Sequence, residues 1–149
     1  MMTEEQVTKA ILNALIKGEW KIIAFDFPQS GSGKMLHPND NISEKNKGGI
    51  VPDIVAVKNR LCLFFENKDR FVLGDFHKVS ALINENQYSN SITVLLSDYS
   101  IDKILYGVAF PSGKWSSKSK LNASLVDFIV GVTLNCDVEF LHNPHGLQI

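Results

Sequence analysis

The stretch that decides the fold is PDIVAVKNRLCLFFENK, residues 52–68. It contains two short runs rich in Val, Ile, Leu and Phe, residues 53–57 and 61–66, separated by a turn-forming Asn. Apolar runs on either side of a tight polar turn predict a β-hairpin. Three charges stand where an apolar hairpin does not need them: Asp53 before the first strand, and Glu66 and Lys68 at the end of the second.

The length of the turn decides whether these charges meet. A two-residue loop at 59–60 pairs Lys58 with Leu61 and places Asp53 directly opposite Glu66. Their Cβ atoms would then lie about 5 Å apart on one face of the hairpin. A three-residue loop without a bulge would put the two carboxylates on opposite faces, because side chains alternate along a strand.

Two adjacent carboxylates such as Asp53 and Glu66 repel each other, and burial makes each charge costlier. A divalent cation relieves both penalties, and Mg²⁺ is commonly held by one or two carboxylates together with water and substrate phosphate. Lys68 shares the face of Glu66, where it can orient or deprotonate a water or stabilise developing negative charge. The combination predicts phosphodiester hydrolysis with Mg²⁺ as cofactor and Mn²⁺ as a substitute.

A purely structural interpretation of the same charges exists. Glu66 and Lys68 would then be solvated charges at the end of a strand, and Asp53 a turn residue after Pro52. The flanking apolar runs and the preceding proline favour the metal site.

Pro52-Asp53, followed after a hairpin by Glu66-Asn67-Lys68, resembles the signature of the PD-(D/E)XK nuclease superfamily. That superfamily includes type II restriction endonucleases and archaeal-type Holliday junction resolvases. The resemblance implies that Asp53 and Glu66 are metal ligands and that Lys68 is the catalytic lysine. Asn67 departs from the pattern, since the middle position is often apolar and faces the core.

The resemblance also implies that an acid of the first helix assists the metal. Residues 3–6 (TEEQ) fit a capping box, and apolar residues at 7–15 repeat at helical spacing. Glu5 is the first choice for the assisting acid and Glu19 the second. The alternative role of Glu4 and Glu5 is to complement the positive end of the helix dipole.

The whole chain is expected to be one domain, residues 1–149, of the α/β (α+β) class. The resemblance implies a restriction-endonuclease-like core, a central mixed β-sheet flanked by helices, and the predicted order of elements matches it. A helix of about three turns is expected from an N-cap at Asp75, and residues 125–134 fit either a helix or a strand. Further strands are expected at residues 20–27, 91–96, 104–110 and 138–141.

Candidate DNA contacts lie in three polar segments, residues 29–34, 35–50 and 114–120, since Lys and Ser side chains commonly bind phosphate. Residues 29–34 resemble the mobile Ser/Gly loop of junction resolvases; they are not a P-loop, because Pro28 and Met35 replace the required glycine and hydroxyl. For each segment a solvated loop is the alternative. The candidates are Ser30, Ser32, Lys34, Lys45, Lys47, Lys114, Lys118 and Lys120.

Composition limits the expected location and partners of the protein. No apolar run approaches the ~18 residues of a membrane span, and no basic stretch followed by an apolar one opens the chain, so a cytoplasmic protein without a membrane partner is expected. The net charge of −1 argues against a protein that coats nucleic acid without sequence preference, but it allows a local basic surface.

The leading interpretation is a Mg²⁺-dependent DNA endonuclease of the restriction or phage-defence type. A homodimer is the expected assembly, because paired sites usually cut the two strands of a duplex. The alternatives are a structure-specific nuclease similar to Holliday junction resolvases, a catalytically inactive nucleic-acid-binding module with the same fold, and a structural domain of a protein complex. No motif for reading bases is recognisable.

Overall fold

A mixed β-sheet with helices on both faces forms the structure, a computed structural model that describes residues 2–26, 34–39 and 49–149. In this part of the chain six strands lie in sequence order: β1 (Lys21–Phe25), β2 (Ile54–Lys58), β3 (Leu61–Asn67), β4 (Lys103–Pro111), β5 (Phe128–Val132) and β6 (Val138–His142). The α-helices are α1 (Glu4–Lys17), α2 (Leu73–Glu85), α3 (Ser89–Leu95) and α4 (Ser117–Leu121). Strands β3, β4 and β5 are parallel, and the other neighbouring pairs are antiparallel. The predicted mixed sheet flanked by helices is confirmed.

The β2–β3 hairpin turns through two residues, as its sequence predicts. Asn59 and Arg60 have φ angles of +50° and +69°, as a tight type I′ hairpin turn requires. Lys58 therefore pairs with Leu61. The Arg60 guanidinium donates two hydrogen bonds to the carboxylate of Asp102, at 2.6 and 2.8 Å, and so ties the turn to the segment leading into β4.

The alternation of side chains along β3 divides the core into two layers. Leu63 and Phe65 are buried in the layer under α1, whereas Phe64 is buried in the layer under α2 and α3. The same alternation places Glu66 on the α2 face of the sheet and Asn67 on the α1 face. Glu66 and Asn67, although adjacent in sequence, therefore face different helices.

Residues 91–95 of the predicted strand belong instead to helix α3, and Leu96 is its C-cap. Ile92 and Leu96 lie four residues apart and both are buried in the α2-face layer. The Thr93 hydroxyl donates to the Ser89 carbonyl at 2.8 Å, so this β-branched residue has a hydrogen-bond partner for its hydroxyl within the helix. Tertiary burial thus overrides the β propensity of the segment.

Residues 125–134, which fitted either a helix or a strand, contain strand β5. Every residue of β5 is buried, and the strand lies between β4 and β6. A strand covered on both faces has a continuous apolar sequence without alternation, which explains the ambiguity. The strands expected at 104–110 and 138–141 are β4 and β6, and β1 matches the described part of 20–27.

The helix ends follow the predicted signals at α1 but not at α2. Thr3 and Gln6 form the predicted capping box, with hydrogen bonds of 2.8 and 3.1 Å. Helix α2 begins at Leu73 after Val72, so Asp75 lies in its first turn and is not its N-cap. Across residues 2–26, 34–39 and 49–149, none of the helices is long and apolar enough to cross a membrane.

Candidate active site

Asp53 and Glu66 meet at the open end of the β2–β3 hairpin. Ile54 pairs with Phe65, so the next pair outward is Asp53 and Glu66. The Asp53 N–H donates to the Phe65 carbonyl at 3.1 Å, and the Asn67 N–H donates to Asp53 Oδ2 at 2.7 Å. Backbone contacts therefore hold the Asp53 carboxylate beside the end of β3.

Lys68 continues from β3 and is held at the edge that β3 shares with β4. Its N–H donates to the Ala109 carbonyl at 3.0 Å. Its ammonium Nζ lies 3.8 Å from Glu4 Oε1 in the first turn of α1. Glu5, the acid chosen from sequence, forms instead an exposed ion pair with Lys9 at 3.4 Å. The first-helix acid beside Lys68 is thus Glu4.

The periodicity of α1 explains why Glu4 and not Glu5 reaches Lys68. Glu4 lies four residues before Thr8 and seven before Ile11, and both of these are buried, so it shares their side of the helix. Glu19, the second choice, is exposed and follows α1 at its other end. The spacing to Thr8 and Ile11 was the signal that could have identified Glu4.

Helix α2 adds two charged residues that sequence reasoning did not assign to the site. Lys78 donates from Nζ to Glu66 Oε1 at 3.1 Å. Asp75, three residues earlier and so on the same side of the helix, has a buried Oδ2 without a hydrogen-bond partner among the described residues. The three-residue spacing of Asp75 and Lys78, at the start of the helix after Lys68, was the signal that could have identified them. We call the following six residues the acid–lysine cluster: Glu4, Asp53, Glu66, Lys68, Asp75 and Lys78.

Burial and like charge shift the pKa values in this cluster. Burial, and then the charge of Glu66, raise the pKa of Asp53 to about 7. Burial also raises the pKa of Glu66, against the opposing effect of Lys78. For Lys68, burial disfavours the charged form, but Asp75, Glu4 and the other nearby carboxylates outweigh it and raise its pKa. Lys68 therefore keeps its proton at neutral pH, and the carboxylates outnumber the ammonium groups.

The donor set of the cluster suits a hard cation with few protein ligands. Among the described residues, no group of three or more His, Cys, Asp or Glu side chains is arranged to hold a metal ion. Asp53 and Glu66 instead offer two carboxylates on one face, and Mg²⁺ is commonly held by one or two, with water and phosphate completing its shell. The burial and repulsion that raise the pKa of Asp53 are the penalties that a divalent cation relieves. These residues fit Mg²⁺ or Mn²⁺.

Asn67, the departure from the family pattern, has a structural partner on α1. Its side chain is buried, and Nδ2 donates to Thr8 Oγ1 at 3.1 Å. The Thr8 hydroxyl donates in turn to the Glu4 carbonyl at 3.1 Å. This chain of hydrogen bonds joins the end of β3 to the turn of α1 that carries Glu4.

We expect Thr8→Val to lower the free energy of unfolding by about 1–3 kcal/mol, because it leaves the buried Nδ2 of Asn67 without a partner. Adding Asn67→Leu should recover part of that loss, since it removes the unpaired amide. Urea unfolding of the two single variants and the double variant measures the coupling between the positions. Purely additive losses would contradict a direct bond between the two side chains.

The structure describes four of the eight candidate DNA-contact residues. Lys34, Lys118 and Lys120 are exposed. Lys114 borders a groove of about 560 Å³ that Asp69 and Met2 also line, so this groove begins one residue from Lys68. The following candidates lie outside the described residues: Ser30, Ser32, Lys45 and Lys47.

No protein-family model matches this chain, and neither a curated protein nor a solved structure matches it significantly. The resemblance to PD-(D/E)XK nucleases therefore depends on the motif and on the geometry of the acid–lysine cluster.

Proposed function

We propose that this protein is a Mg²⁺-dependent DNA endonuclease with a restriction-endonuclease-like core. One observation carries the proposal: the two-residue hairpin turn pairs Ile54 with Phe65 and so brings Asp53 beside Glu66 at the open end of the hairpin. Lys68 lies close enough that both carboxylates raise its pKa. Two carboxylates and a lysine at the end of a buried strand are costly for folding, and phosphodiester hydrolysis uses all three.

The chemistry divides between the cation and the protein. Asp53 and Glu66 would hold Mg²⁺, which would supply positive charge at the phosphate and lower the pKa of a bound water. Lys68, whose pKa is raised by the surrounding carboxylates once burial is outweighed, is protonated. It therefore acts as a cation that donates to phosphate oxygens and stabilises the charge developing there, and not as the base. Glu4 holds its ammonium group in place.

The order of elements supports the same proposal. A first helix precedes an antiparallel three-stranded unit, and helices α2 and α3 then lead to β4, which runs parallel to β3. This order is compatible with the nuclease core that the resemblance implies, although α3 replaces the strand expected at residues 91–96. Paired sites usually cut the two strands of a duplex, so a homodimer is part of the proposal, with restriction or phage defence as the biological setting.

Incubation of the purified protein with supercoiled plasmid and with four-way-junction DNA tests the proposal. Nicked or linear products are expected with Mg²⁺ or Mn²⁺ and not with EDTA, and Glu66→Gln should abolish them. Preferential cleavage of the junction would identify a resolvase-like enzyme. DNA binding without cleavage in either metal would reject the nuclease in favour of a non-catalytic binding module.

A further inference from the structure

Lys78 forms the shorter of the two ion pairs within the acid–lysine cluster, 3.1 Å from Nζ to Glu66 Oε1. The Glu66 side chain is only 12% exposed and that of Lys78 36% exposed. Both side chains border a small pocket whose other walls include Pro52, Phe64 and Leu82. The pair therefore lies against apolar surface, where an opposite charge interacts more strongly than in open water.

Lys78 supplies the positive charge that contacts Glu66. Lys68 lies beside Glu4 at 3.8 Å, so the short charged hydrogen bond to Glu66 comes from Lys78. A divalent cation held by Asp53 and Glu66 would compete with the Lys78 ammonium for Glu66. A lysine stem has several rotatable bonds, so the ammonium can leave Glu66 without movement of α2.

We propose that Lys78 is a second phosphate-binding lysine of this site, held on Glu66 until a divalent cation takes its place and then free to bind the DNA phosphate. The inference rests on the proposed nuclease function. Lys78 comes from α2 and Lys68 from the end of β3, so the two ammonium groups approach Glu66 from different elements. Cation binding and phosphate binding are thereby coupled through one side chain.

Titration with Mn²⁺ in a calorimeter tests the competition directly. Lys78→Met is expected to bind Mn²⁺ at least about fivefold more tightly than the wild type, whereas Lys78→Arg, which keeps the ion pair, should bind within about twofold. Lys9→Met, which removes a lysine from the exposed pair with Glu5, is the matched control and should bind as the wild type does. Lys78→Gln replaces the methionine variant if that variant does not fold.

Removal of any nearby positive charge also favours a cation, so a second measurement is needed. A crystal structure of the wild type with Mn²⁺ should show Lys78 Nζ beyond hydrogen-bond distance of Glu66. A lysine still bonded to Glu66 beside the ion, or an ion bound equally well by Lys78→Met and wild type, would overturn the proposal. If the wild type binds no Mn²⁺, both this inference and the proposed function fail.

Binding to a fluorescent DNA duplex tests the second half of the proposal. With Ca²⁺ as the cation, Lys78→Met should bind the duplex about three- to tenfold more weakly than the wild type, because one phosphate contact is missing. In EDTA the two proteins should bind alike, since Lys78 is then engaged by Glu66. Equal losses in Ca²⁺ and EDTA, or no loss in Ca²⁺, would overturn the phosphate role.

Discussion

Lys68→Met is expected to lower the rate of Mg²⁺-dependent DNA cleavage by about 10²–10³-fold, the typical cost of removing one donor that stabilises transition-state charge. Methionine keeps most of the aliphatic stem of this side chain, which is 32% exposed beside Glu4, but lacks the ammonium group. Folding should therefore be retained while the charge at the phosphate is lost. Single-turnover cleavage of a plasmid at saturating Mg²⁺ measures the effect.

Two further variants interpret that result. Lys68→Arg keeps a positive charge and should retain more activity than the methionine variant. Lys17→Met removes an exposed lysine from the last turn of α1 and should cleave at the wild-type rate. Full activity in Lys68→Met would show that Lys68 takes no part in the reaction.

Asp53→Asn is expected to stabilise the cation-free protein at neutral and alkaline pH by about 1–3 kcal/mol. Burial and the charge of Glu66 raise the pKa of Asp53 from 3.8 to about 7, so the folded state holds a proton that the unfolded state has already lost. The protonated Asp53 carboxyl makes its full contribution to the free energy of unfolding below about pH 4, and that contribution falls as the pH rises towards 7. Asparagine cannot ionise, so the advantage of the variant should grow over that range and then level off.

Chemical unfolding at pH 4, 6 and 8 in EDTA measures this advantage. Asp98→Asn, at an exposed position, is the matched control and should show no comparable pH-dependent gain. A free Mg²⁺ concentration ten times the dissociation constant should then stabilise the wild type by about 1.4 kcal/mol, but not Asp53→Asn. An Asp53→Asn protein that is less stable than wild type at pH 8 in EDTA would contradict the buried, repelled carboxylate.

Much of the fold followed from local patterns. The capping box of α1, the hairpin and strands β4 and β6 were predicted from cap residues, turn residues and apolar runs. The segments that were wrong or ambiguous, α3 and β5, are those whose environment differs from their local preference. Ile92 and Leu96 are buried by α-helical packing despite β-branched neighbours, and β5 is covered on both faces.

The residues of the candidate site also divide into those predicted from local patterns and those that depend on tertiary packing. Asp53, Glu66 and Lys68 were predicted from spacing, and Glu5 was chosen where the structure brings Glu4 beside Lys68. Asp75 and Lys78 did not enter the predicted site, because a helix after the motif can face either the sheet edge or solvent. Their contribution depends on how α2 lies across the sheet.

Local sequence determines the pairing of Asp53 with Glu66, because a two-residue turn and the alternation of side chains fix the register over a few residues. Tertiary structure alone decides that Glu4 reaches Lys68 and that Lys78 reaches Glu66. Those contacts depend on where α1 and α2 pack, which is set by burial of Ile11 and Phe76 in separate core layers and not by any spacing between the paired charges.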